Sequence, residues 1–308
     1  KELIEYVFPR VKKYIHVWKT SPDGLVIPRK GGWTWGDWGD NKDMGLLFSL
    51  WYSIALDGYA HMARLVDEPA EARWADETND RLRQVFHQKY WTGAYYKSPD
   101  YEGQPDDRAQ ALAVVAGVLP KELYPTIRPF FRQQYHASPY MEKYVLQALC
   151  EMGYYQDAMD RMRLRYEAMV DSPLTTLWEG WGIGKEGFGG GSYNHAWSGG
   201  PLTILSSYVA GVKVVEPGFK VFSVCPNLGN LSHVKVTVPL AGGRFIEADV
   251  KKDAGRCVLE LAVPEGTAGL VGLPDGYTQM RVNGKPAEAG MKLKTGVWKI
   301  EFGNLPSK

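Results

Sequence analysis

The chain has 308 residues, 44% hydrophobic and 23% charged, enough to bury a full core in one large or two smaller domains. Lys and Arg number 36 against 35 Asp and Glu, so no global field draws nucleic acid or an acidic membrane, and no basic run supplies a local one. No apolar stretch approaches the roughly 20 residues of a membrane-spanning helix.

The first residues, "KELIEYVFPR", lack the apolar core and small-residue cleavage site of a signal peptide and do not begin with Met. The expectation is a mature or trimmed product, or a piece of a longer polypeptide. Residues 1–18 place Leu3, Ile4, Val7, Phe8, Val11, Tyr14, Ile15 and Trp18 at helical spacing, with Pro9 predicting a kink. A long, mostly buried helix is predicted over 43–68, and another over 69–90 with a proline in its first turn and a charged outer face. Segments 106–118, 121–135, 138–153, 154–170 and 200–212 complete about eight helices.

After Pro217 the period falls to two. "HVKVTVPL" alternates Val234, Val236 and Val238, and "RCVLELAVPEG" alternates Leu259, Leu261 and Val263. "RVNGK" signals a two-residue hairpin, because Asn-Gly accepts the positive φ of a type I′ turn, and "GVWKIEFG" supplies a closing strand. The fold class expected is mainly α with a β domain: a helical domain over 1–214, then a small antiparallel β-sandwich over 215–308. Stacked helix pairs suit either a solenoid or a closed toroid, and periodicity does not choose between them.

Several motifs fail. "GFGGGS" lacks the sixth-position glycine of a dinucleotide loop and follows no strand, and Phe188 stands where a phosphate-binding loop needs Lys. The six histidines form no H-E-x-x-H, and no G-x-S-x-G elbow occurs. No metal or cofactor is expected. Cys150, Cys225 and Cys257 form no C-x-x-C pair; Cys150 reads as a buried helical thiol, with a bridge between Cys225 and Cys257 the minor alternative.

The remaining signal sits in loops between helices. "GGWTWGDWGDNKD" (31–43) sets Trp33, Trp35 and Trp38 among Asp37, Asp40 and Asp43; "YWTGAYYKSPDYEGQPDDR" (90–108) adds Trp91 and four tyrosines; "SPYMEKY" (138–144) carries Glu142; "TLWEGWGIGKEGFGGGSYNHAWSGG" (176–200) holds Trp178, Glu179, Trp181, His195 and Trp197. Sugar rings stack their C–H faces on indole and offer hydroxyls to carboxylates, His and Asn. Glycosidic hydrolysis needs an acid for the leaving oxygen and a carboxylate that activates water or attacks. A glutamate between tryptophans is partly shielded from water, which suits acid–base work. Each residue also has a structural reading. Tryptophan packs cores, Asp37 and Asp40 suit caps or turns, Asp106 and Asp107 suit a helix N-cap, Glu142 suits a helix dipole, and a lone His195 suits a structural hydrogen bond.

The stretch "TTLWEGW…SYNHAWSGGPLTILSSYVAGVKVVEPGFKVFSVCPNLGNL" resembles the end of the catalytic domain of glycoside hydrolase family 78, the α-L-rhamnosidases. "GDWGD", "YW…YY", "DDRAQALAVVAGVL" and "SPYMEKYVLQALCEMGY" are similar to the preceding segments in order, so the resemblance spans nearly the whole chain. It implies a partial (α/α)6 toroid followed by a β-sandwich, and inverting removal of terminal α-L-rhamnose from plant polysaccharides or glycosides. By position it implies Glu179 as the general base, His195 as a sugar-hydroxyl ligand and Trp38 as a pocket wall, with Asp37 and Asp40 beside it; the loop pattern adds Trp91, Glu142, Trp178 and Trp197 as substrate-binding candidates. The family's general acid belongs to an acidic cluster upstream of the matching region, and about eight helices fall short of the toroid's twelve. The resemblance therefore implies a carboxy-terminal part whose proton donor lies in an N-terminal remainder of the same polypeptide, before Lys1. A polymer substrate implies a periplasmic or secreted enzyme. The alternatives are another α/α-toroid carbohydrate enzyme, such as an unsaturated glucuronyl hydrolase or polysaccharide lyase, and a non-catalytic carbohydrate-binding homologue.

Overall fold

The computed structural model describes residues 1–28, 34–182, 191–253 and 255–304. Trp33 and the glycine-rich tip of the 176–200 segment, both part of the sequence expectation, lie outside the described residues. Contacts divide the chain into two compact units: Lys1–Met152 with Leu174–His195, and Gly153–Pro173 with Ala196–Lys308.

The first unit is built from helices α1 (Glu2–Ile15), α2 (Met44–Leu65), α3 (Pro69–Tyr90), α4 (Asp107–Val115), the short α5 (Tyr124–Ile127) and α6 (Pro139–Glu151). α1 runs through Pro9 as one helix and buries Phe8 and Ile15; the Phe8 ring stacks on Tyr59 of α2 at 5.4 Å. α2 starts where the Asp43 side chain accepts the Leu46 N–H, satisfying one of the amides that a helix start leaves open. α3 begins on Pro69, whose missing N–H costs nothing there. The connection between α2 and α3 is short, so the two form a hairpin. They are tied by Asn79, buried on α3, which accepts from Ser53 Oγ at 2.6 Å and donates to Asp57 at 2.8 Å. α2 also packs against α1 and α4, and α4 against α6. The helix expected over 121–135 is instead a chain of turns: a 3-10 turn Lys121–Leu123, α5, then a 3-10 turn Arg128–Arg132. Pro125 and Pro129 remove the amide donors that a continuous helix would use.

The second unit joins α7 (Tyr155–Val170) and α8 (Gly200–Ile204) to the strands. Strands β1 (Val212–Val214), β2 (Val221–Val224), β6 (Ala268–Val271) and β9 (Met291–Leu293) form one sheet in the order β1-β2-β6-β9. Strands β3 (His233–Leu240), β4 (Arg244–Asp253), β5 (Arg256–Val263), β7 (Gln279–Val282), β8 (Lys285–Ala287) and β10 (Gly296–Gly303) form the other, in the order β3-β4-β5-β10-β7-β8. Phe222 and Val224 of the first sheet share one core with Ile246, Leu259, Leu261, Ile300 and Phe302 of the second, as the period-two pattern predicts. Asn283 and Gly284 take φ of 49° and 79° at the hairpin between β7 and β8, the turn that Asn-Gly signals.

Two features differ from the sequence expectation. β2 and β6 pair in parallel, so the smaller sheet is mixed where an antiparallel one is expected. The last strand, β10, lies inside its sheet between β5 and β7, where its register buries Ile300 and Phe302. Entry to the sandwich passes through Gly211, at φ 78°, where an added Cβ would sit 2.0 Å from the Cys225 carbonyl oxygen; only glycine fits there. Cys150, Cys225 and Cys257 are free thiols.

Candidate active site

The carboxylates of the 31–43 loop divide by burial. Asp37 is 1% exposed, with φ at 118°, a value that L-residues rarely adopt. Its side chain accepts the Ser138 N–H at 2.9 Å and the Ser138 hydroxyl, and pairs with Arg108 Nη1 at 3.1 Å. Ser138 stands at the N-cap of α6, so Asp37 lies at the positive end of that helix. Burial pushes the Asp37 carboxyl above the usual range, against the pull of Arg108 and Ser138.

Arg108 stands in the first turn of α4 and is itself fully buried. It donates to Asp106 Oδ1 at 2.7 Å, to the Trp38 carbonyl at 2.9 Å and to the Asn41 carbonyl. Asp106 caps α4 by accepting the Arg108 N–H and also accepts the Asp43 N–H at 3.1 Å; burial pushes it up to about 6 despite the adjacent guanidinium. The cap role for Asp106 is legible in the sequence. Asp107 instead accepts the His136 N–H at 3.1 Å. A cation held by two carboxylates and two carbonyls in the interior acts as a frame that fixes the 37–41 turn.

Glu179 lies on a second loop of the same unit. The arms 176–181 and 191–195 of this loop run side by side: the Glu179 N–H donates to the Ser192 carbonyl at 2.9 Å, the His195 N–H to the Leu177 carbonyl at 2.9 Å, and the Thr176 hydroxyl to the Tyr193 carbonyl. The Ser192 N–H returns to Glu179 Oε2 at 2.8 Å. Trp178 packs edge-on against Tyr193 at 5.3 Å. Trp181 reaches across to the helical frame, donating its indole N–H to the Ala137 carbonyl at 2.8 Å, one residue before the serine that holds Asp37. Glu142, fully buried in the first turn of α6, donates its N–H to the Ser138 carbonyl at 2.8 Å.

The Trp181 bond joins the loop of Trp178, Glu179 and His195 to the segment whose Ser138 holds Asp37, with Trp38 beside Asp37 and half-buried. Asp37 and Glu142 are interior. Asp40 is exposed on the same turn as Asp37, while Glu179 and His195 retain partial exposure. Trp91 stacks on His87 at 5.9 Å and meets Tyr96 edge-on at 5.0 Å, and the Tyr96 N–H donates to Gln110 of α4 at 2.7 Å. Trp197 belongs to the second unit and is half-buried in the 3-10 turn Ala196–Gly199. Among the described residues, no group of three or more His, Cys, Asp or Glu side chains could hold a metal ion, and no helix is long and apolar enough to cross a membrane. Sequence reasoning missed Arg108 and Ser138 as parts of the site, because their roles rest on partners 71 and 101 residues away.

A family model for the bacterial α-L-rhamnosidase six-hairpin glycosidase domain matches residues 1–209, and one for the bacterial α-L-rhamnosidase C-terminal domain matches residues 211–288. The chain belongs to the bacterial α-L-rhamnosidase family. The helical hairpins and the β unit that follows are therefore this family's fold. It is similar to the structure of the α-L-rhamnosidase from Dictyoglumus thermophilum, with a TM-score of 0.82 at 18% identity over 98% of this chain and 37% of that one. A Streptomyces avermitilis α-L-rhamnosidase complexed with L-rhamnose gives a TM-score of 0.78 at 18% identity, over 97% of this chain and 31% of that one. A family 78 rhamnosidase of Bacillus sp. GL1 gives 0.76 at 23% identity, over 89% and 31%. The chain spans about a third of the length of these structures. Comparison with curated proteins gave no match.

Proposed function

We propose that the chain carries the base-bearing part of an inverting α-L-rhamnosidase active site, with Glu179 as the general base. The observation that carries this reading is the presentation of Glu179. It is a partly exposed carboxylate on a loop whose arms are hydrogen-bonded together and fastened to the helical frame, in a chain of the rhamnosidase family. In an inverting reaction the base deprotonates a water on the face of the sugar opposite the leaving group, with the two carboxyl groups about 6.5–9.5 Å apart. The bond from the Ser192 N–H to Oε2 orients the carboxylate, and its partial exposure supports access for that water.

Trp38, Trp178, Asp40 and His195 are proposed to line the sugar pocket, with Trp91 as an outer contact. Asp37 and Glu142, being interior, serve it from behind. The catalytic domain is taken to end near residue 214, and the β-sandwich to follow. The short span relative to solved rhamnosidases supports an N-terminal remainder of the same polypeptide that supplies the proton donor. The substrate is a carbohydrate ending in α-L-rhamnose; the rhamnose-bound Streptomyces relative supports this. Such polymers are met outside the cytoplasm, which supports a periplasmic or secreted site of action.

The test is Glu179→Gln in the full polypeptide, assayed on a chromogenic aryl α-L-rhamnoside. The amide keeps size but loses the basic oxygen, so kcat should fall roughly 10²–10⁴-fold with rhamnose affinity much less changed. Azide should then restore turnover through a glycosyl azide of inverted configuration. Wild-type kcat in the variant would remove Glu179 from the chemistry.

A further inference from the structure

The hydrogen bonds behind Glu179 converge on one peptide group, that joining Ala137 to Ser138. Its N–H donates to Asp37 Oδ2 at 2.9 Å, and its carbonyl accepts the Trp181 indole N–H at 2.8 Å. The plane of that peptide is held from both sides. On one side stands a buried carboxylate, itself pinned by Arg108 and by the Ser138 hydroxyl. On the other stands the indole two residues beyond Glu179, with buried Gly180 between. An amide whose N–H donates to an anion becomes a stronger acceptor at its oxygen, because the two bonds polarise the same group. The start of α6 adds its dipole to the same arrangement, favouring the negative Asp37 at its end.

We propose that Asp37 and Trp181 are positioning residues for the general base: the relay Arg108–Asp37–peptide 137/138–Trp181 sets the height and tilt of Glu179 over the substrate. This rests on the reading of Glu179 as the base. It assigns Asp37 no contact with sugar and gives its strained backbone a purpose, since φ of 118° at residue 37 aims the carboxylate at the α6 cap. The relay joins three segments separated by 101 and 44 residues in sequence. Moving any of them shifts the carboxylate that must meet a single water. Misplacement of a catalytic group by about 1 Å costs up to about 10²-fold in rate.

The experiment uses the full polypeptide and three variants: Trp181→Phe, Glu179→Gln and the double variant, with kcat and KM measured on an aryl α-L-rhamnoside and Tm recorded for each. Trp181→Phe keeps an aromatic ring and removes the N–H. It should lower kcat roughly 10- to 100-fold while KM stays within about two-fold. In the Glu179→Gln background the same change should add almost nothing, because groups that act as a unit are non-additive. Full kcat in Trp181→Phe, or losses that multiply in the double variant, would overturn the relay while leaving Glu179 as base. Full kcat in Glu179→Gln alone would overturn the role of Glu179, and the relay with it. Should Trp181→Phe melt early, Ser138→Ala removes only the hydroxyl bond to Asp37 and carries the same double-variant comparison from the other end. A kcat loss in Ser138→Ala that disappears once Glu179→Gln is also present supports the relay. An unchanged kcat, or a loss that multiplies, overturns it.

Discussion

The surroundings of Arg108 and the loop of Glu179 are both rich in acids and aromatics, yet they solve opposite problems. Around Arg108 every charge is interior. Asp37, Asp106 and the guanidinium have lost their water and are compensated by one another and by backbone groups. Around Glu179 the acid keeps partial access to solvent, and backbone hydrogen bonds tie together the loop that carries it. If Glu179 is the base proposed above, density of carboxylates does not mark a catalytic group. Fixed placement combined with access to solvent is the better guide.

If the contrast is right, the two regions respond differently to substitution. The largest effect belongs to Arg108→Met, which leaves Asp37 and Asp106 buried without their cation. Breaking a buried pair costs about 3–5 kcal/mol, so the urea midpoint should drop sharply, and a midpoint near wild type would break the frame interpretation. Next comes pH. The folded value of Asp106, about 6, lies above the ordinary carboxylate value near 4, so the folded state binds its proton more tightly. The associated stability is complete below about pH 4 and is lost as pH rises through about 6. Over that window wild type should lose on the order of 2–3 kcal/mol relative to Asp106→Asn, read as a pH-dependent difference in Tm; parallel Tm curves for the two proteins would contradict it. The smallest effect is the stability change of Glu179→Gln. Its carboxylate is partly exposed and accepts from a backbone N–H that an amide oxygen can also engage. The substitution should therefore shift unfolding by no more than about 1 kcal/mol even as catalysis collapses. A large melting shift there would move Glu179 to the side of the frame.

Much of the fold was legible because its signals are local. α3 begins at Pro69 and ends at Tyr90, as the proline and the charged outer face predict, and the Asn283–Gly284 turn follows from two residues. The capping of α4 by Asp106 needs only its immediate neighbours. The failures are equally specific. Residues 121–135 have helical spacing, but two prolines decide against a continuous helix. The interior position of β10 and the parallel pairing of β2 with β6 depend on which strand edges are open when they meet, and alternation along a strand carries no such information.

The same division runs through the site. Sequence by itself determined that the 176–200 segment carries Glu179 between two tryptophans, that His195 follows it, and that acids and aromatics gather in the turns between helices. Those are properties of neighbours along the chain. Only the tertiary structure decided which acids face inward. Asp37 and Asp40 are three residues apart with similar surroundings in sequence, yet one is enclosed by Arg108 and Ser138 and the other is exposed. The partners that make the difference come from α4 and the start of α6, far along the chain. Desolvation and charge pairing are set by what folding brings within about 3 Å, and no local pattern contains that distance.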